Sequence, residues 1–196
     1  MAVGILMTQF PAHGTVRWYV SDYVRRHFDN ALPPFLEIGS KHEDHQWWRD
    51  LRGQLGVADE LWTGLDMEPG PNVDVVCDIT KPPWPGELFG AFGTVICSEV
   101  LEHVKDPGMA LEALLNFVAP GGTLIVTVPF GFPVHNFPAD YWRFTPDGLR
   151  LLLSNVGFKS ITTEEMNFMT TLLCDHDSNP VERRIPLHVG ACCRKP

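Results

Sequence analysis

A parallel, doubly wound α/β sheet is the fold class that this sequence predicts, on three observations. Short apolar runs alternate with stretches of helical periodicity, the pattern of strand–helix–strand units with right-handed crossovers. Three of the first runs, Phe35–Ile38, Leu61–Asp66 and Val73–Cys77, end at or beside an acidic residue or a glycine. Proline and glycine clusters at Pro33-Pro34, Glu68-Pro69-Gly70-Pro71, Pro82 to Gly86 and Pro120-Gly121-Gly122 separate the units.

The elements follow in order. Val16, Tyr19, Val20, Tyr23, Val24 and Phe28 recur at helical spacing, so Thr15 to Ala31 reads as a helix stopped by Pro33-Pro34. Phe35–Ile38 is a buried strand. His45 to Leu55, with Trp47, Trp48 and Leu51 on one side, reads as a helix. Leu61–Asp66 and Val73–Cys77 are strands two and three, and Gly93–Cys97 is the fourth. Met109, Leu111, Leu114, Leu115 and Val118 make a buried stripe on a helix from Pro107 to Val118. Thr123–Val128 is strand five. Pro146 to Val156 is a helix closed by Gly157, Phe158–Thr162 is strand six, and Leu187–Cys193 is the last strand. The sum is seven strands.

The chain has 196 residues, 44% of them hydrophobic, which suits one domain with a sizeable core. Within it we expect an N-terminal helical segment (1–34), a core (35–163) and a C-terminal segment carrying the last strand (164–196). No apolar run reaches the roughly 20 residues of a membrane span, and Met1 to Phe10 lacks the basic segment of a signal peptide. Five cysteines without a CxxC pattern fit a reducing compartment, so a cytoplasmic location is expected. Cys192-Cys193 reads as two alternating positions of one strand. The net charge of −9 and the absence of a basic stripe argue against nucleic acid as the main partner. A small-molecule substrate and no membrane span are expected. The oligomeric state is not legible.

In a doubly wound sheet, ligands sit at the carboxyl ends of the strands where the strand order switches. Acidic or glycine tips on three successive strands describe one wall of a nucleoside site, because a carboxylate accepts both hydroxyls of a ribose and a glycine lets the backbone approach the ligand. The glycine-rich dinucleotide turn is missing: Ser40, Lys41, His42 and Glu43 follow Gly39. So is a phosphate-binding loop with Gly-Lys-Ser or Gly-Lys-Thr. A pyrophosphate needs backbone amides at close range, whereas a cofactor without phosphates does not. S-adenosyl-L-methionine, with a ribose diol, an adenine, an amino acid tail and a sulfonium cation, fits acidic strand tips.

On these residues the sequence resembles the class I S-adenosylmethionine-dependent methyltransferases, near their type 11 group. Phe35 to Ser40 resembles the first motif, Trp62 to Asp66 the second, and Val76 to Ile79 the adenine-edge motif. Val95 to Val104 resembles the segment at and after strand four, and Ala119 to Leu124 the turn into strand five. The resemblance implies a Rossmann-like, mostly parallel seven-stranded sheet with helices on both faces and an antiparallel edge strand. It implies S-adenosyl-L-methionine as cofactor, held by Glu37, Gly39, Ser40, Asp66, Met67, Asp78, Ile79, Ser98 and Glu99. Asp66 is the expected ribose carboxylate, Asp78 the partner of the adenine amino group, and Ser98 and Glu99 the lining of the methionine end. The pattern Asp140 to Pro146 belongs to a subset associated with glycan or small-metabolite chemistry.

Catalytic residues are harder to name, because the methyl donor arrives activated and the protein chiefly orients the reactants. His135 lies in the loop after strand five, at the sheet end that forms the substrate mouth. It is the candidate general base. His103, four positions after Glu99, shares its face if that segment is helical. Tyr141, Trp142 and Arg143 are candidate substrate residues, with Arg143 gripping either a substrate anion or an internal acid. His42-Glu43-Asp44-His45 has metal-ligand residue types, but contiguous residues point in different directions. No metal is therefore expected there. The resulting expectation is methyl transfer to a small polar molecule, a sugar or glycan hydroxyl being one candidate. The rivals are an RNA-modifying methyltransferase and a cofactor-binding interaction protein without methyl transfer.

Overall fold

The computed structural model describes residues 13–28, 31–41, 51–135, 139–174 and 180–196. Its elements are α1 (His13–Phe28), β1 (Phe35–Ile38), α2 (Leu51–Leu55), β2 (Trp62–Asp66), β3 (Val75–Val76) and β4 (Phe92–Ser98). They continue with α3 (Pro107–Phe117), β5 (Val118–Pro129), α4 (Pro146–Val156), β6 (Lys159–Cys174) and β7 (Pro180–Arg194). The seven strands form one sheet in the order β3-β2-β1-β4-β5-β7-β6. β1 pairs in parallel with both β2 and β4, β2 with β3, and β4 with β5. The strand order reverses between β1 and β4.

The antiparallel strand is β7, and it lies one place in from the edge, between β5 and β6. Both β6 and β7 run well beyond their expected spans. They form a long two-stranded ribbon, Lys159 pairing with Arg194 at one end and Cys174 with Pro180 at the other. Of the expected spans Leu187–Cys193 is almost wholly buried, whereas Lys159, Ser160 and Thr162 of the β6 span are exposed and Met166 in its extension is buried. Cys192 and Cys193 occupy alternating positions of β7, opposite Ile125 and Leu124.

Strand alternation divides the core between two faces. Leu36 and Ile38 of β1, Val95 and Cys97 of β4, and Leu124, Val126 and Val128 of β5 pack with α3 and α4. Phe35, Ile96 and Ile125 point the other way and pack with Tyr23 and Val24 of α1 and with Trp62. Helix starts obey capping chemistry. The Asp106 side chain accepts from the Met109 amide, and Thr145 from Gly148, each followed by proline at the first helical position. Gly157, at φ 117°, ends α4 as expected. The Pro120-Gly121-Gly122 turn lies inside β5 rather than before it. Phe92 pairs with Val118 and Thr94 with Thr123, so the residues between bulge outward.

Of the helix expected at His45 to Leu55, Leu51–Leu55 is seen; Trp47, Trp48 and the His42–His45 run lie outside the described residues, as does Met1 to Phe10. Among the described residues no helix is long and apolar enough to cross a membrane.

Candidate active site

The carboxyl ends of β1, β2 and β4 meet at the strand-order reversal. β1 ends in Gly39, which turns at φ 75°; a Cβ there would stand 2.7 Å from the Val100 side chain, so only glycine fits. The amides of Gly39 and Ser40 both donate to the Leu65 carbonyl, which ties this turn to β2. Ser40 is fully buried and its hydroxyl has no partner. Glu37, buried on β1, accepts from the Trp62 indole at 3.2 Å. At the tip of β2 the Asp66 carboxylate accepts from the Lys41 amide at 3.2 Å and the Glu68 amide at 3.0 Å. Each oxygen thus keeps acceptor capacity. Met67 beside it is exposed, and Ile79 is buried.

Asp78 is engaged locally. One oxygen accepts from the Thr80 amide at 2.9 Å and its hydroxyl at 2.6 Å, and the other pairs with Lys81 at 2.9 Å. Burial pushes its pKa up, but the Thr80 and Lys81 contacts outweigh that and hold it below the usual carboxylate range. The turn-capping role is therefore built into the structure, and what remains for an adenine is the second lone pair of Oδ2, since Oδ1 already accepts twice from Thr80.

The second half of the site follows β4. The Ser98 hydroxyl lies 2.8 Å from that of Thr127. Glu99 adopts φ 55°, a left-handed conformation uncommon for a residue with a side chain. Its amide donates to the Thr127 carbonyl, and its carboxylate lies 3.4 Å from Nε2 of the buried His188. Burial opposes its ionisation, yet His188 and Thr127 prevail and the pKa is lowered. Leu101–His103 is a 3₁₀ turn rather than an α-helix, so Glu99 and His103 do not share a face. Glu99 meets His188, while His103 meets Glu102 and His135.

Glu102 is the residue that sequence reasoning passes over. Its side chain is 0% exposed, and neither carboxylate oxygen has a hydrogen-bond partner. His103 Nε2 lies 3.5 Å and His135 Nε2 3.7 Å from its Oε1. Burial, reinforced by the neighbouring Glu99 charge, raises its pKa. The facing Glu102 carboxylate in turn raises that of His135 against the opposing effect of burial, with Asp140 helping. His103 Nδ1 is 2.6 Å from the Ala139 carbonyl, and the two imidazoles meet edge to face at 5.0 Å.

Of the two partners open to Arg143, the structure shows the internal acid. Its donors go to both Asp140 oxygens and to the carbonyls of Phe132, Pro133 and Trp142. Those five bonds match the five N–H groups of a guanidinium, so Arg143 grips an internal acid and leaves nothing for a substrate anion. Arg143 holds the buried Asp140 carboxyl down to about 2. Asp140 accepts from the His135 amide at 2.8 Å and lies 3.2 Å from its Nδ1. Trp142 donates from its indole to the Val104 carbonyl, and the Tyr141 amide to the Glu102 carbonyl. Both rings remain nearly half exposed at the mouth.

Sequence reasoning misses His188 and Glu102 for different reasons. His188 comes from the antiparallel strand, with no local motif around it. Glu102 sits inside a recognised segment, and only its lack of partners marks it out. Asp140 stands in the sequence as part of a pattern, which does not show its role as anchor.

The acidic strand tips, the unpartnered Ser40 hydroxyl and the glycine turn fit a ribose, a sulfonium and an amino acid tail better than a phosphate. Comparison with known proteins agrees. The chain matches the family model for a methyltransferase domain over residues 16–163. It is 32% identical over 108 residues to a ubiquinone biosynthesis O-methyltransferase of Chromobacterium violaceum, covering 52% of this chain and 46% of that protein. It is 37% identical over 67 residues to one of Xanthomonas euvesicatoria, covering 32% and 28%. These matches span less than half the length of the relatives. In fold it is similar to an S-adenosylmethionine-dependent methyltransferase of Archaeoglobus fulgidus, at TM-score 0.61 and 16% identity, over 91% of this chain and 94% of that one. It is also similar to Haemonchus contortus phosphoethanolamine N-methyltransferase 2 in complex with S-adenosyl-L-methionine, at TM-score 0.58 and 12% identity, over 90% and 52%. With the family model spanning most of its length, the chain belongs to the methyltransferase-domain family.

Proposed function

We propose that this chain transfers a methyl group from S-adenosyl-L-methionine to a hydroxyl oxygen of a small polar molecule. The observation that carries the reading is the Glu102–His103–His135 cluster, three groups able to take a proton, beside the end of β4. An amine acceptor needs proton removal late or not at all, and a hydroxyl needs it earlier. A built proton-accepting cluster therefore favours oxygen, as do the O-methyltransferase names of the relatives.

When bound, the cofactor supplies a methyl group on a sulfonium, already activated for displacement. The chain's own work is placement and proton management. Asp66 would hold the ribose hydroxyls, and the turn at Gly39 would let the backbone approach. Glu37 and Ser40 would line the ammonium end; Met67, Asp78 and Ile79 the adenine; Ser98 and Glu99 the methionine end. Tyr141 and Trp142 would flank the acceptor. The cluster would take the acceptor hydroxyl's proton as the methyl group passes from sulfur, which would keep the bonding pair, to oxygen. The Asp140–Arg143 pair fixes the loop that carries His135.

The test is a methyl-transfer screen with labelled S-adenosyl-L-methionine over sugars, phenols, small amines and RNA. Turnover on hydroxyl-bearing small molecules is expected. Turnover confined to RNA or to amines would replace the reading. Binding of S-adenosylhomocysteine without transfer to any class would favour the interaction protein.

A further inference from the structure

We infer that Lys41 and Glu68 form an ion-paired clasp that positions Asp66 for a ribose diol and commits the turn after β1 to a cofactor without phosphates. Both are positioning residues, acting on the ligand through Asp66. The inference rests on the reading of Asp66 as the ribose carboxylate.

Lys41 stands two places after Gly39. In a G-x-G-x-x-G dinucleotide turn that place holds the second glycine, whose missing side chain lets the backbone approach a pyrophosphate. Here the backbone and the side chain at that place are both put to other use. The Lys41 amide donates to Asp66 Oδ2 at 3.2 Å. An amide already donating to a carboxylate is not on offer to a phosphate. The side chain crosses to the loop after β2, where its ammonium pairs with Glu68 at 2.7 Å. Gly70 leaves room for that path. A Cβ there would stand 2.9, 3.0 and 3.1 Å from Lys41 Cγ, Cε and Cδ, so a larger residue would push the stem aside.

Glu68 completes the ring. Its own amide donates to the other Asp66 oxygen, Oδ1, at 3.0 Å. The Lys41 ammonium beside its side chain holds that carboxyl below the usual range. The two residues whose amides grip Asp66 are thus tied to each other through their side chains. One belongs to the turn after β1 and the other to the loop after β2, so the pair locks two separate segments around one carboxylate. The amides take one lone pair of each Asp66 oxygen, and the remaining lone pairs suit two neighbouring hydroxyls. A carboxylate held in place before the ligand arrives loses less freedom on binding, which favours the group it was placed to meet. Both charged heads reach solvent, so the effect of the pair is modest in size.

The test measures, by calorimetry on the full chain, the affinity of S-adenosylhomocysteine and of its 2′,3′-dideoxy analogue, which offers Asp66 no hydroxyl. The unaltered chain should prefer the ribose form about ten- to hundredfold. Lys41→Met, which keeps the stem and removes the charge, and Glu68→Gln should each lower that preference about two- to fivefold. The affinity for the dideoxy analogue and the Tm should stay as in the unaltered chain. The charge-reversed double variant, Lys41→Glu with Glu68→Lys, should recover the preference. An unchanged preference in both single variants would overturn the clasp, as would equal losses on the two ligands or a double variant no better than the singles. No preference in the unaltered chain is a separate result: it would remove Asp66 from the ribose, and the clasp would fall with that reading.

Discussion

The two halves of the site are built differently. The half at β1, β2 and β3 is made of short contiguous motifs, Glu37 to Ser40, Asp66-Met67 and Asp78-Ile79, whose polar groups are tied mostly to backbone amides and near neighbours. The half at β4, β5 and β7 collects Glu99, Glu102, His103, His135, Asp140, Arg143 and His188 from segments scattered along the chain. There, charged groups are buried against one another and shift one another's protonation. The contrast matches the chemistry. A cofactor presenting the same features to every such fold needs a repeated set of strand tips, while proton handling needs perturbed groups in a drier setting.

The largest expected effect falls on the second half alone. His135→Ala should lower turnover on a hydroxyl acceptor by about 10²–10⁴, with S-adenosylhomocysteine affinity in calorimetry nearly unchanged. Parallel loss of affinity would erase the division between the halves. Next comes Arg143→Ala, which leaves the sealed Asp140 carboxylate without its guanidinium. Breaking such a pair costs roughly 3 kcal/mol, the low end for a buried pair because Arg143 is partly exposed. For a chain of this length that is a fall in Tm of about 10 °C. A scanning-calorimetry trace with Tm unchanged, and KM for the acceptor raised instead, would return Arg143 to the substrate. The smallest effect is Asp66→Ala, which loses hydrogen bonds to a charged acceptor worth about 1.5–3 kcal/mol. Cofactor affinity should fall ten- to hundredfold with Tm held. Unchanged affinity would remove Asp66 from the site.

The same contrast separates what is legible in the sequence from what is not. Strand tips are legible because an apolar run and the Asp66 or Gly39 that stops it are adjacent in the chain, so the signal is local. Helix ends are legible for the same reason: Pro146 and Gly157 bound α4 where local chemistry requires it. Residues brought together only by the fold leave no such signal. His188 reaches Glu99 because β7 runs antiparallel beside β5. Helical spacing misleads at Glu99 and His103, because a 3₁₀ turn replaces the helix. Arg143 has two kinds of partner open to it in the sequence, and only the folded loop shows that Asp140 and three carbonyls occupy it.

The most direct test is a crystal structure of the chain with S-adenosylhomocysteine. Both ribose hydroxyls should rest on the Asp66 carboxylate, with the sulfur beside Ser98 and Glu99, open toward Glu102 and His135. A ligand seated away from Asp66, or a sulfur turned from the Glu102–His135 cluster, would contradict the division of labour between the two halves.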